Sequence, residues 1–146
     1  MFQGRYFHTI DPKGRLSIPA KFREALAEHD EDTLIAVEAD SCLWAYPKRE
    51  WERFVGELRR RPQLTAEMRN FLRIFASSAK ECPVDRAGRI LLAPEHREFA
   101  GLVKEVVLVG TLDRFEIWGR ERWADFYQRH GGTFEQIAEK LGALGL

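Results

Sequence analysis

Two aspartates and two arginines recur at one spacing, and they carry most of the chemistry available to this sequence. Asp11-Pro12-Lys13-Gly14-Arg15 returns as Asp85-Arg86-Ala87-Gly88-Arg89, shifted by 74 positions throughout. Aspartate at the first place of a turn accepts backbone N–H groups two residues on. Glycine at the fourth takes a left-handed conformation at little cost. Asp11, Gly14, Asp85 and Gly88 therefore read as the frame of two turns. Arg15 and Arg89 stand just past those turns. Each could pair with its own aspartate, an interaction worth little at a surface. Each could also donate two parallel hydrogen bonds to guanine O6 and N7, as a β-ribbon does in the DNA major groove. The two roles are compatible, because the carboxylate can hold the guanidinium in position. Lys13, Lys21 and Arg23 lie close enough in sequence to bind phosphates, and Arg5 and Arg86 are further candidates for that task. Arg59-Arg60-Arg61 reads instead as a solvated helix end.

No arrangement for catalysis competes with this. His8, His29, His96 and His130 are scattered, without metal-ligand spacing. The sequence contains no nucleophile elbow, phosphate loop or dinucleotide fingerprint. Asp11 and Asp85 could be imagined as paired carboxylates, but each already has a turn to hold. The expectation is a non-enzyme with no cofactor, no metal and no small-molecule substrate. Cys42 and Cys82 lack a C-x-x-C spacing and read as two buried thiols of a reducing cytosol. No secretory signal and no membrane span are evident, which implies a cytoplasmic location.

Composition allows a substantial core: 45% of the 146 residues are hydrophobic and 32% are charged. Net charge is zero, which by itself argues mildly against nucleic acid. The charge is unevenly placed, however. Residues 1–23 carry Arg5, Lys13, Arg15, Lys21 and Arg23 against Asp11 alone, and residues 24–40 carry seven acids and no lysine or arginine. A zero sum can hide a positive face and a negative face.

Elements must position these groups. Arg5–Ile10 and Arg15–Ile18 read as strands of a β-hairpin with Arg15 just past its tip. Pro19 opens a helix to His29. Thr33–Val37 and Leu43–Tyr46 read as a second strand pair. Pro47 starts an amphipathic helix with the stripe Trp51, Phe54, Val55 and Leu58, and Thr65 caps the next, with Met68, Phe71, Leu72 and Phe75. From Lys80 the plan restarts. Val106–Val109 and Phe115–Trp118 match the earlier strands, and Trp123 and Phe126 match Trp51 and Phe54. Agreement over so many positions in order indicates a tandem duplication about a pseudo-two-fold axis. Gly131-Gly132 then precedes a capping-box pattern at Thr133–Gln136 and a stripe of Phe134, Ile137, Leu141 and Leu144. That helix either docks on its own body or reaches a neighbour.

Phe2-x-Gly4, Asp11-x-Lys13-Gly14-Arg15, Pro19-x-x-Phe22-Arg23 and the second Asp85-x-x-Gly88-Arg89 followed by Ile117-Trp118 closely resemble the MraZ family over residues 1–127. The resemblance implies a mainly β (α+β) fold: a double-split β-barrel capped by helices, built from two SpoVT-AbrB-type repeats. It divides the chain into repeat 1 at 1–62, a connecting helix at 63–79 and repeat 2 at 80–130; the C-terminal amphipathic helix at 131–146 lies outside the resemblance and is read from its own apolar stripe. It implies a nucleoid-associated transcriptional regulator, typically a repressor, of the division and cell wall gene cluster including its own operon. Its partners would be direct repeats in promoter DNA and further copies of itself in a ring-shaped homo-oligomer. Arg15 and Arg89 fall where the family's DNA contacts are expected. The second turn departs from the first, with Arg86 at the place of Pro12 and Ala87 at that of Lys13. The rival reading is an interaction module of the antitoxin type on the same fold.

Overall fold

The computed structural model describes residues 1–145. The first half runs β1 (Arg5–Thr9), β2 (Arg15–Ser17), α1 (Ala20–Ala27), β3 (Thr33–Ala39), β4 (Cys42–Pro47) and α2 (Lys48–Arg59). Helix α3 (Ala66–Phe75) and a 3₁₀ turn (Ala76–Ser78) lead into the second half. That half runs β5 (Lys80–Pro83), β6 (Arg89–Leu91), α4 (Pro94–Ala100), β7 (Glu105–Gly110), β8 (Phe115–Gly119) and α5 (Arg120–His130). A second 3₁₀ turn (Gly131–Thr133) joins α5 to α6 (Phe134–Ala143). None of the described helices is long and apolar enough to cross a membrane.

Six strands form one antiparallel sheet in the order β1-β7-β8-β4-β3-β5, and β2 and β6 form a separate two-stranded ribbon. The order is symmetric about the β4–β8 pair, as a duplication requires. It is also interleaved. β1 of the first half pairs with β7 of the second, and β5 of the second pairs with β3 of the first.

This corrects the hairpin expected from the sequence. The turn itself closes: Gly14 N–H donates to Asp11 O at 2.9 Å, Asp11 N–H donates to Arg15 O at 3.0 Å, and one bridge joins Ile10 to Leu16. Beyond that bridge the two strands part. A local hairpin would leave the outer edges of β7 and β3 unpaired, and open edges are a liability. Exchanging first strands between the halves covers both.

Parting also lets the ribbon lie across the sheet and bury its inner side. Leu16 and Ile90 point down into a core with Leu34, Leu43, Leu108, Phe115 and Ile117. Phe22 and Leu26 of α1 and Ala100 of α4 seal its ends. Phe22 is the hub, packing its ring 4.8–5.3 Å from those of Phe2, Tyr6 and Phe115.

The other sheet face carries two aromatic clusters. Tyr46 and Val37 pack with Trp51, Phe54, Leu58 and Phe75. Val107, Val109 and Trp118 pack with Trp123 and Phe126. Cys42 and Cys82 are buried and free, and burial pushes both thiols up, Cys82 to about 11.

Most helix starts follow the sequence signals. The Thr65 hydroxyl accepts Met68 N–H at 3.1 Å, as a cap should. Pro47 is a small exception, ending β4 rather than opening α2. The capping box at Thr133 does not form. The chain stays helical through Gly131 (φ −59°), and the Thr133 hydroxyl turns back to donate to His130 O at 2.7 Å. Helix α6 makes its principal contacts with the preceding 3₁₀ turn. Phe134, Ile137, Leu141 and Leu144 all remain exposed, so the stripe does not dock on its own body.

Candidate nucleic-acid interface

The ribbon places the two arginines on one surface. In its register Arg15 faces Leu91, Leu16 faces Ile90, and Ser17 faces Arg89. Leu16 and Ile90 point inward, so strand alternation turns Arg15, Ser17, Arg89 and Leu91 outward together. The two guanidinium-bearing residues occupy diagonal corners of this patch, about 7–8 Å apart.

Each turn is tied to the opposite strand. Leu92 N–H donates to Gly14 O at 2.9 Å, and Ile18 N–H donates to Gly88 O at 2.8 Å. The turns therefore sit at the two ends of the ribbon, with Lys13 on one and Arg86 on the other. Both are exposed, and among the described residues neither has an ion-pair partner.

The aspartates hold the turns in the way their positions suggested. Asp11 Oδ1 accepts the backbone N–H of Lys13 and of Arg15, each at 2.9 Å, and Oδ2 takes Arg15 Nε at 2.5 Å. Asp85 Oδ1 accepts Ala87 N–H at 2.8 Å and Arg89 N–H at 3.0 Å, but Arg89 Nε stands 3.4 Å from its carboxylate. The first guanidinium is thus held more closely than the second. The backbone N–H of Arg15 draws the Asp11 carboxyl below the usual range, and that of Arg89 does the same for Asp85.

A carboxylate with a lowered folded value contributes stability that is present above its unfolded value. That stability is lost as pH falls through the folded one. Thermal stability is therefore expected to drop below about pH 4. The drop should be shallower in the Asp11→Asn, Asp85→Asn double variant, measured by circular dichroism melts across pH.

Glycine is required at both turns. Gly14 has φ +89° and Gly88 φ +76°. A Cβ on Gly88 would lie 2.7 Å from Arg23 Cδ, and one on Gly14 would lie 3.0 Å from Arg97 Cζ. These contacts show what Arg23 does: it leaves α1 to lie over the turn of the other half, while its Nε donates to Ile18 O at 3.1 Å. Arg97 of α4 likewise lies over the first turn, without a hydrogen bond from its Nε among the described residues. Arg97 was absent from the sequence-based candidates. Its signal was there, because it stands 74 positions after Arg23.

A family model described as "MraZ protein, putative antitoxin-like" matches this chain twice, over residues 1–74 and 75–142. The chain belongs to the MraZ family. Among its relatives, the "Transcriptional regulator MraZ" of Moorella thermoacetica is 47% identical over 97% of this chain and 96% of its own length. The protein of the same name from Heliobacterium modesticaldum is 46% identical over 97% and 96%. That of Desulfitobacterium hafniense strain Y51 is 46% identical over the full length of both chains.

The remaining candidate cations of this MraZ chain fall in other places. Lys21 lies on α1, exposed, 3.7 Å from Glu24. Arg5 is on the far side of the sheet. β1 alternates so that Tyr6 faces the ribbon side, while Arg5 stacks its guanidinium 4.8 Å from the Tyr127 ring and 5.5 Å from that of Trp123. The structure thus gathers Arg15, Arg89, Lys13 and Arg86 around the ribbon and its turns, sets Arg23 over one turn, and separates Arg5 from them all. No group of three or more metal-binding side chains occurs among the described residues.

Proposed function

We propose that this chain is a sequence-specific DNA-binding transcriptional regulator, with the ribbon face as its reading surface. The observation that carries the reading is the outward placement of Arg15 and Arg89 at diagonal positions of one two-stranded ribbon, with a cationic turn at each end. Arg15 and Arg89 read guanines, while Lys13 and Arg86 hold phosphates. Lys21 and Arg23 border the same region, and Arg5 takes no part. The relatives' name, transcriptional regulator, supports this assignment. The finer reading is a cytoplasmic, nucleoid-associated repressor of the division and cell wall genes, its own operon included. The six-stranded sheet and ribbon together are read as the double-split barrel of two SpoVT-AbrB-type repeats.

A salt-titrated binding assay tests this reading. It compares the DNA upstream of the protein's own gene with a scrambled duplex of equal composition. Preference for the upstream DNA, with affinity falling as salt rises, is the expected result. Equal affinity for both duplexes sinks sequence-specific regulation.

One ribbon spans only a few base pairs, so useful affinity calls for several subunits on repeated sites. The exposed stripe of α6, with Phe134 at 71% and Leu144 at 79% exposure, supports self-association as the means. The double variant Ile137→Asp, Leu141→Asp is expected to sediment as a smaller assembly with an unchanged circular dichroism spectrum. An unchanged sedimentation coefficient would remove α6 from the contact.

A further inference from the structure

The pseudo-two-fold axis makes the outward positions of the two ribbon strands alike, except at one. Beside Arg89, across the ladder, stands Ser17. At the equivalent place beside Arg15 stands Leu91, 61% exposed. Single exposed leucines are common on protein surfaces. This one lies inside the cationic patch, opposite one arginine and two residues along the strand from the other.

The ladder bonds define its spacing. Gly14 with Leu92 and Ile18 with Gly88 are hydrogen-bonded rungs. The Arg15–Leu91 rung between them is therefore of the non-bonded kind, in which Cα atoms approach to about 4.5 Å and side chains lie closest. An isobutyl group and a guanidinium so placed can address neighbouring base pairs, which are spaced by about 3.4 Å. In the major groove the apolar feature that a leucine can contact is the C5-methyl of thymine.

We propose that Leu91 is a specificity-determining residue that reads the methyl group of a thymine next to the base contacted by Arg15. This rests on the DNA-binding reading above. It adds that the recognised element is unequal at its two ends, because Ser17 offers the other end a hydroxyl and no apolar contact.

Synthetic DNA in which every thymine is replaced by deoxyuridine tests this directly. It keeps base pairing and removes only the methyl groups. Fluorescence anisotropy compares the full-length chain and its Leu91→Ser variant on the normal upstream duplex and on its deoxyuridine counterpart. Serine is already accommodated at position 17 of the same ladder, so the variant keeps the ribbon. The parent chain should lose about fourfold in affinity on deoxyuridine DNA, the worth of one buried methyl-sized group. Leu91→Ser should show that loss already on normal DNA, with no further loss on deoxyuridine DNA. A parent chain indifferent to the methyl groups overturns the proposal, and so does a loss shared equally by parent and variant. Failure of the underlying reading looks different: the upstream duplex would then bind no better than scrambled DNA.

Discussion

Arg15→Ala is expected to lower affinity for the upstream DNA by about 1–3 kcal/mol per engaged site and bring it toward that for scrambled DNA. The reason lies in how the guanidinium is held. Asp11 grips Arg15 through Nε at 2.5 Å, and the same carboxylate fixes the backbone N–H groups of the turn. Gripping Nε leaves the terminal nitrogens outside that contact, and the ordering entropy is met before DNA arrives. The side chain is 37% exposed, so its removal leaves no cavity, and the two Asp11 bonds to backbone persist. Lost DNA affinity should therefore come with a nearly unchanged melting temperature. Arg15→Lys should not rescue, because an ammonium cannot form the paired hydrogen bonds. Arg89→Ala should cost less, since Arg89 Nε stands 3.4 Å from Asp85 and is less firmly set. Anisotropy titrations at one salt concentration decide the matter. Parent-like affinity and discrimination in Arg15→Ala would overturn the assignment of roles.

Much of this site could be read in the chain because its causes are local. A turn of aspartate, glycine and arginine needs only neighbours to form, so both braces and both positive φ angles were foreseeable at Asp11–Arg15 and Asp85–Arg89. Strand partners are not local. Nothing in Arg5–Thr9 says that it pairs with Glu105–Gly110 rather than returning on itself, because the decision lies with the uncovered edges of β7 and β3. That one unread fact also misplaced Arg5. Once β1 joins the main sheet, its alternation sends Tyr6 toward the ribbon and Arg5 toward Trp123 and Tyr127. Arg23 has a position that proximity in sequence does not give: the fold lays it over Gly88, as part of the link between the halves. At Thr133 the pattern matches the N-cap position, since α6 begins at Phe134, but the 3₁₀ turn through Gly131 and Gly132 leaves Thr133 at φ −102° and ψ 9° with its hydroxyl donating back to His130 O, so the cap bond is not made.

The same interleaving predicts that neither half folds alone as a monomer. A fragment of residues 1–79 keeps only the β3–β4 hairpin intact. β1 loses β7, β2 loses β6, β3 loses β5, and β4 loses β8. Leu16 and Ile18, 0% and 1% exposed in the whole chain, would face water. A core opened along that side cannot offset the ordering entropy after such losses. Two copies of the fragment can restore each pairing in kind, because every lost partner has a counterpart in the first half. β3 of one copy can take β1 of the other, and the two β2 strands can form the ribbon. The expected behaviour is an unfolded monomer at low concentration, with folding coupled to dimerisation and a melting temperature that rises with concentration. Mixing the fragment with residues 80–146 should yield a one-to-one complex with the strand content of the intact chain. Circular dichroism melts over a hundredfold range of concentration, paired with sedimentation, measure this. A monomeric fragment with a cooperative melt independent of concentration would show that strand exchange does not bind the halves together. In that case the ribbon that presents Arg15 and Arg89 would need another source of rigidity.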